Sequence, residues 1–296
     1  MSARTVLGFT TVGYLLLFFL FLFGPLLVMG TTAFNAPNYP QAYPWEAFTW
    51  HWFAALFADK DVMRGLGNSL AIGIGVVCVA VPVGLAGAIV MTQIYSRARA
   101  LYYVVVVSPV LTPGVILGIS TIVFWDRFAS AVHAGYNSVF YNGFVLTVLG
   151  QSSFISAYCM LIILARLQRF DRSQEEAALD LGAGFTQVFW HVLMPFLRPA
   201  LFSAAVLAFL SSFENYNTTT FTILAKTTLT TVLAGRIRQG MTPALSALAV
   251  CIIAVTLAGA VLYEILKRRE DRRAAARART ARLAEEQGMA QVAQGA

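Results

Sequence analysis

A chain of 296 residues that is 58% hydrophobic, only 12% charged and +7 in formal net charge, with a mean hydropathy of +0.70, is too apolar for a water-soluble domain. Its 21 lysines and arginines leave long stretches bare and crowd into the C-terminal tail, as in a polytopic membrane protein. Nucleic-acid binding is excluded as well, because a basic tail on an apolar body offers no folded reading surface.

A helix rising ~1.5 Å per residue needs about twenty apolar residues to cross a ~30 Å hydrocarbon core. Six stretches qualify: Val6 to Met29, Asn68 to Gln93, Leu101 to Phe124, Gly143 to Ala165, Pro199 to Tyr216, and Pro243 to Leu266. The expected fold is all-α, with six transmembrane helices and one further helix outside the membrane. The first stretch is too long for a secretory signal and has no small-x-small cleavage site after it, so it reads as a retained anchor. The loop from Gly30 to Gly67 holds Tyr39, Tyr43, Trp45, Trp50 and Trp52 among prolines, which suits either an interfacial aromatic belt or a docking surface. In the second stretch Gly73, Gly75, Pro82, Gly84 and Gly87 favour close helix packing and kinks. Cys78, Cys159 and Cys251 read as small buried apolar residues, and the scattered His51, His133 and His191 form no metal site.

Between the fourth and fifth spans, Arg166 to Arg198 is the longest polar segment before the tail. Ser173 followed by Glu176 predicts a capping box that starts a short helix. Ala178, Leu181 and Phe185 share one face at helical spacing, while Arg172, Glu175, Glu176 and Asp180 are available to the other. Gly182 and Gly184 interrupt it. Phe185, Val188, Phe189 and Val192 repeat the pattern until Pro195 stops the run, and Pro199 opens the fifth span.

Charge in hydrocarbon costs ~2.5–3.5 kcal/mol, which marks an intramembrane carboxylate as functional by default. Glu214 lies ~22 Å along the fifth span from Pro199, in the polar run SSFENYNTTTF. With Ser212, Phe213, Asn215 and Tyr216 it is the candidate lining of a wet pathway; the competing reading leaves it solvated at the outer interface. Glu264, one turn before Lys267 and Arg268, reads as a helix-end ion pair. From Lys267 to Ala296 the tail is expected to continue the sixth span as a helix before fraying, its arginines available to anionic lipid headgroups. With the N-terminus inside, fifteen of the 21 lysines and arginines fall in cytoplasmic segments, which places both termini in the cytoplasm of a bacterial inner membrane.

The loop carries a resemblance. E-A-A-x-x-x-G, followed nine residues further by I-x-L-P, is the signature of permease subunits of binding-protein-dependent ABC importers. It stands here as Glu176, Ala177, Ala178, Gly182, Val192, Met194 and Pro195, with Val for Ile and Met for Leu. SFENY-N-TTTF and TLTTVLAGRIRQGMTP are similar to the spermidine/putrescine type. The resemblance implies the type I importer fold in one permease domain spanning 1–296: core spans at about 68–266, a coupling loop at about 166–198, and the basic tail at 267–296. It also implies that Glu175, Glu176, Ala177, Ala178, Asp180, Gly182, Ala183 and Pro195 form the coupling region seated in an ATPase. ATP and Mg would then be used by that partner, with no cofactor on this chain. An ABC ATPase dimer, a second permease chain, an extracytoplasmic solute-binding protein and membrane lipids are the expected partners. A polyamine or related cation is the expected solute. An intramembrane enzyme is disfavoured because no convergent set of acids or nucleophiles exists inside the spans. A secondary transporter or channel would have no use for the loop.

Overall fold

A computed structural model describes the backbone of residues 3–294 and the side chains of residues 10–265 and 267–269. Arg4 and the arginines beyond Arg269, with any lipid-holding role of theirs, lie outside the described side chains, as does the terminal Gly295–Ala296. The described residues are helical, with a single isolated bridge between Asn35 and Phe48 and no strand. Among the described residues six helices are long and apolar enough to span a membrane, covering Thr10–Phe34, Lys60–Gln93, Gly114–Ala131, Gly143–Leu167, Phe185–Phe213 and Pro243–Arg269. The chain divides into two compact units, Met1–Ala58 with Met241–Ala296, and Asp59–Gly240.

The first unit holds α1 (Ala3–Phe34), α2 (His51–Ala58) and α12 (Pro243–Gln294). α1 exposes large apolar side chains from Val12 to Val28 almost without interruption, as a lipid-facing helix must. Where α1 and α12 meet, small residues close the gap: Ala33 and Ala247 are fully buried, and the Thr32 hydroxyl donates to Ser246 Oγ at 2.8 Å. The predicted long aromatic loop shortens to 36–50, because α1 runs on to Phe34 and α2 and the following helix begin early. Buried Asn35 shapes the turn: its Nδ2 donates to the carbonyls of Gln41 and Pro44, its Oδ1 accepts from Ala36 and Glu46, and its carbonyl accepts from Trp52 Nε1 at 2.8 Å. Phe34, Phe48, Trp50 and Phe53 form a ring cluster beside it. Glu264 accepts from Arg268 Nε at 2.6 Å, the expected ion pair. Helical backbone continues along the tail.

The second unit is built on α3 (Lys60–Gln93), α6 (Gly143–Leu167) and α9 (Met194–Phe213). Ile72, Val76, Ala80, Ile155, Cys159, Met160, Ile163, Leu197, Ala204 and Ala208 pack between them. Lipid removes any hydrophobic drive between helices, so the close fit of small residues holds them together. Gly84 is the tightest crossing among these three helices: a Cβ there would lie 2.6 Å from Cys159 Cβ and 2.8 Å from the Met160 nitrogen. Of the three cysteines only Cys159 is buried; Cys78 is exposed, on the face of α3 turned from this core. Among the described residues no His, Cys, Asp and Glu group forms a metal site.

Further boundaries differ from expectation. α3 begins at Lys60 rather than Asn68, because Asp59 caps it, Oδ1 accepting from the Asp61 and Val62 amides at 3.0 and 3.2 Å. The predicted third span, Leu101 to Phe124, is broken into α4 (Ser96–Leu111) and α5 (Gly114–Ala131). Thr112, extended at ψ 130, precedes Pro113, which disfavours helix before it and cannot donate within it. Pro195 does not stop its run: a π-turn, Phe189–Leu193, joins α8 (Phe185–Val188) to α9, with the Met194 amide bonded to the Phe189 carbonyl. Pro195 takes a first-turn position, where no amide is needed, and Pro199 lies inside the helix instead of opening it.

Candidate functional site

Two features stand at different levels of the same helices, α6 and α9, within Asp59–Gly240. The first follows the end of α6, where α7 (Ser173–Asp180) projects. Its cap is not the predicted Ser173. The chain turns at Asp171, whose Oδ1 accepts the Ser173 amide at 3.0 Å, so Ser173 is already helical. That amide, and next the Ser173 hydroxyl, hold the Asp171 carboxyl below the ordinary carboxylate value. Glu175 and Glu176 occupy the first turn, where the helix dipole favours negative charge.

α7 ends in a Schellman turn: the Gly182 amide donates to the Leu179 carbonyl at 2.9 Å and the Ala183 amide to that of Ala178 at 3.0 Å. Gly182 has φ +86, a region costly for any residue with a Cβ. The turn leaves Leu181 and Phe185 89% and 82% exposed, two large apolar side chains on a polar loop. Ala177 and Asp180 are exposed beside them, Ala178 and Ala183 half-buried, and Pro195 exposed on α9.

The root of this projection is tied to the bundle. Arg172 Nη2 donates to the Thr92 carbonyl in the last turn of α3 at 3.4 Å, satisfying an end-of-helix acceptor. Phe170 packs on Phe196 with ring centroids 5.0 Å apart, and the Arg166 guanidinium lies 4.1 Å over the Phe196 ring while its Nε donates to the Phe196 carbonyl. The root of α7 is therefore in contact with both α3 and α9.

The second feature is an open cleft of about 330 Å³ where α9 ends, lined by Phe154, Tyr158, Leu207, Ser211, Glu214, Asn215 and Asn217. Phe154 and Tyr158 lie ~17 and ~22 Å along α6 from Gly143, so Glu214, the C-cap of α9, lies at the level of the middle of α6. α9 stops there, and the chain continues through α10 (Thr219–Thr222) and α11 (Leu229–Gln239) toward the start of α3. The broken backbone is buried in protein on one side, at Thr218, Thr219 and Thr222, and lines the cleft on the other, at Asn215 and Asn217.

On the buried side, Gln151 Nε2 donates to Thr219 Oγ1 at 2.7 Å, and the Ser212 hydroxyl donates to Gln151 Oε1. Thr219 Oγ1 donates to the Asn215 carbonyl at 2.7 Å, and Asn215 Oδ1 accepts from the Thr218 and Thr219 amides. Glycines let this segment approach: a Cβ on Gly118 would lie 2.9 Å from the Thr218 carbonyl, and one on Gly143 would collide with that of Ile223. α11 is fastened to α3 by Asn68 Nδ2 on the Thr227 carbonyl at 2.7 Å and by Arg236 on Asp59 at 2.8 Å.

Of the five pathway residues expected from sequence, Glu214 and Asn215 line the cleft. Ser212 is buried on Gln151, Phe213 stacks on Phe209, and the Tyr216 hydroxyl accepts from Arg238 Nη2 at 3.3 Å. Phe154 and Tyr158 escaped sequence reading. Their spacing of four on one helix face is the signal, but an apolar span holds many such pairs.

Residues 80–272 match the family described as "Binding-protein-dependent transport system inner membrane component". The chain is 30% identical over 263 residues to the putrescine transport system permease protein PotI of Escherichia coli (strain K12), covering 88% of this chain and 91% of the relative. It is 23% identical to the spermidine/putrescine transport system permease protein PotC of Haemophilus influenzae, over 87% and 96% of the two chains. Among solved structures it is similar to a chain of a bacterial ABC transporter involved in the import of the acidic polysaccharide alginate, with TM-score 0.66, 18% identity, and 88% and 94% of the chains covered. The last likeness, at that identity, speaks for the fold.

Proposed function

This chain belongs to the family of binding-protein-dependent transport system inner membrane components, and on that premise we propose how it works within an ATP-driven importer. α7 is the coupling helix. Its exposed Leu181 and Phe185 seat in a cleft of an ABC ATPase, which uses ATP and Mg, and nucleotide-driven closure pushes the helix against α3 and α9 through Arg172 and the Phe170–Phe196–Arg166 stack. The chain supplies half of the translocation path, and a second permease chain supplies the other half. A loaded extracytoplasmic binding protein docks outside, and both termini lie in the cytoplasm.

The Glu214 cleft is the station for the solute. One carboxylate beside two aromatic rings, with amide and hydroxyl groups around it, suits a small amine: charge attraction from Glu214 and ring-face contacts from Phe154 and Tyr158 favour an ammonium group. With the names of the relatives, that chemistry supports a polyamine. A channel or secondary carrier would leave unexplained an apolar-tipped helix anchored to two spans.

The observation that carries this reading is the pairing of α7 and the cleft on α6 and α9. Gly182→Trp tests it. A Cβ at φ +86 strains the turn that presents Leu181 and Phe185, so co-purification of the ATPase, or its stimulation by loaded binding protein, should fall at least tenfold. Normal retention of both would remove α7 from the coupling role.

A further inference from the structure

At the Gly143 end of α6, far from α7, lies a second cleft, of about 340 Å³, to which the solute path assigns nothing. It is formed between the loop leading into α6 and the turn after α10, with Tyr136, Ser138, Asn142, Leu224 and Lys226 on its wall. Three observations mark it as built to receive something.

Lys226 has no carboxylate within ion-pair distance among the described residues, and its ammonium lies 4.7 Å over the Phe144 ring instead. The Ser138 hydroxyl oxygen is buried with no hydrogen-bond partner, a cost of ~1–3 kcal/mol unless something else meets it. Leu224, two residues before the lysine, holds φ +56, a strained conformation for a branched side chain. The turn is braced by the Ile223 carbonyl pressed on Gly143 and by the Lys226 amide bonded to that same carbonyl at 3.3 Å. Asn142 Oδ1 is occupied by the Phe144 amide at 3.0 Å, which leaves its Nδ2 as a donor on the wall of the same cleft.

An ammonium without a carboxylate partner on a preset turn, with an idle hydroxyl and a spare amide donor on the facing loop, suits one carboxylate. We propose that this cleft binds a carboxylate group, supplied by an acidic side chain of the docking binding protein. The choice of source rests on the importer reading above. Lys226 is exposed at the end of α6 opposite α7, the end an extracytoplasmic binding protein would meet, and an ammonium without a carboxylate partner there is complementary to an acidic side chain on the docking face of that protein. A free carboxylate solute would satisfy the same groups.

The experiment uses the assembled permease–ATPase complex in nanodiscs. Binding-protein docking is measured by interferometry at several salt concentrations, and succinate is titrated as a free carboxylate while the melting midpoint is followed. Lys226→Gln should weaken docking about tenfold and flatten its salt dependence. Ser138→Ala should weaken it less, and Lys226→Arg should stay within about twofold of the parent. ATPase co-purification, unchanged in all three, certifies folding. Should docking be unaffected while succinate stabilises the parent and not Lys226→Gln, the carboxylate site stands and its source is a solute. Unchanged docking with no succinate effect overturns the proposal. Where no binding protein docks to the parent, the importer reading has failed, and the succinate titration alone decides the site.

Discussion

Glu214 is the residue on which the solute chemistry turns, because its position decides whether it is a surface acid or a pathway acid. Its cleft neighbours come from the middle of α6, and on the proposed reading a carboxylate at that level is kept for the solute. Glu214→Gln keeps the size and the hydrogen-bond acceptor but removes the charge. A hydrogen bond to a charged group is worth ~1.5–3 kcal/mol, so uptake of a polyamine by reconstituted vesicles should fall about tenfold or more, with ATPase assembly intact. Uptake at the parent rate would take Glu214 out of the path. The carboxylate was legible in the sequence as a lone charge in an apolar span. Its company was not: Phe154, Tyr158 and Gln151 look like ordinary residues of α6, and only the fold of the segment after α9 brings Asn215 and Thr219 against them.

Among the elements, α7 is legible in kind and in its start at Ser173, but not in the group that caps it. Ser173 has the right neighbour, Glu176, for a capping box, yet Asp171 two residues earlier is the stronger acceptor and takes the Ser173 amide. Its carboxyl is held below the ordinary carboxylate value, so the folded form favours the ion. The stabilisation is therefore complete above the ordinary value and is lost as pH falls through the lower folded one. Coupling should owe no pH dependence to this group between about pH 5.5 and 8. At pH 7, Asp171→Ala should reduce substrate-stimulated ATP hydrolysis by about two- to fivefold, and Asp171→Asn, which caps as well, should preserve it. A loss of coupling within that window that disappears in the Asn variant would contradict the assignment. Span boundaries failed for a related reason: hydropathy cannot see that Thr112–Pro113 breaks a helix, nor that a π-turn lets the chain run through Pro195.

For the whole molecule, six spans follow from composition, but their orientation does not follow evenly from the chain. Within Asp59–Gly240 the basic residues are balanced: Arg97, Arg99, Arg166, Arg169, Arg172 and Arg198 at the α7 end are matched by Lys60, Arg64, Arg127, Lys226, Arg236 and Arg238 toward the other. The bias comes instead from Arg4 and from the basic run that starts at Lys267, both next to an apolar span in the sequence. Long basic tails are strong orientation signals close to a span, so α7 is expected on the cytoplasmic face. Ala177→Cys, exposed on α7, puts this to measurement on a background with the three native cysteines replaced by alanine. In right-side-out vesicles a membrane-impermeant maleimide should leave Cys at 177 unmodified, and in inverted vesicles it should react within minutes. A second variant, Thr227→Cys, sits exposed on the opposite end and should show the reverse pattern. If position 177 reacts from outside, no cytoplasmic ATPase can reach α7, and the transmission of force through Arg172 to α3 has no motor to drive it.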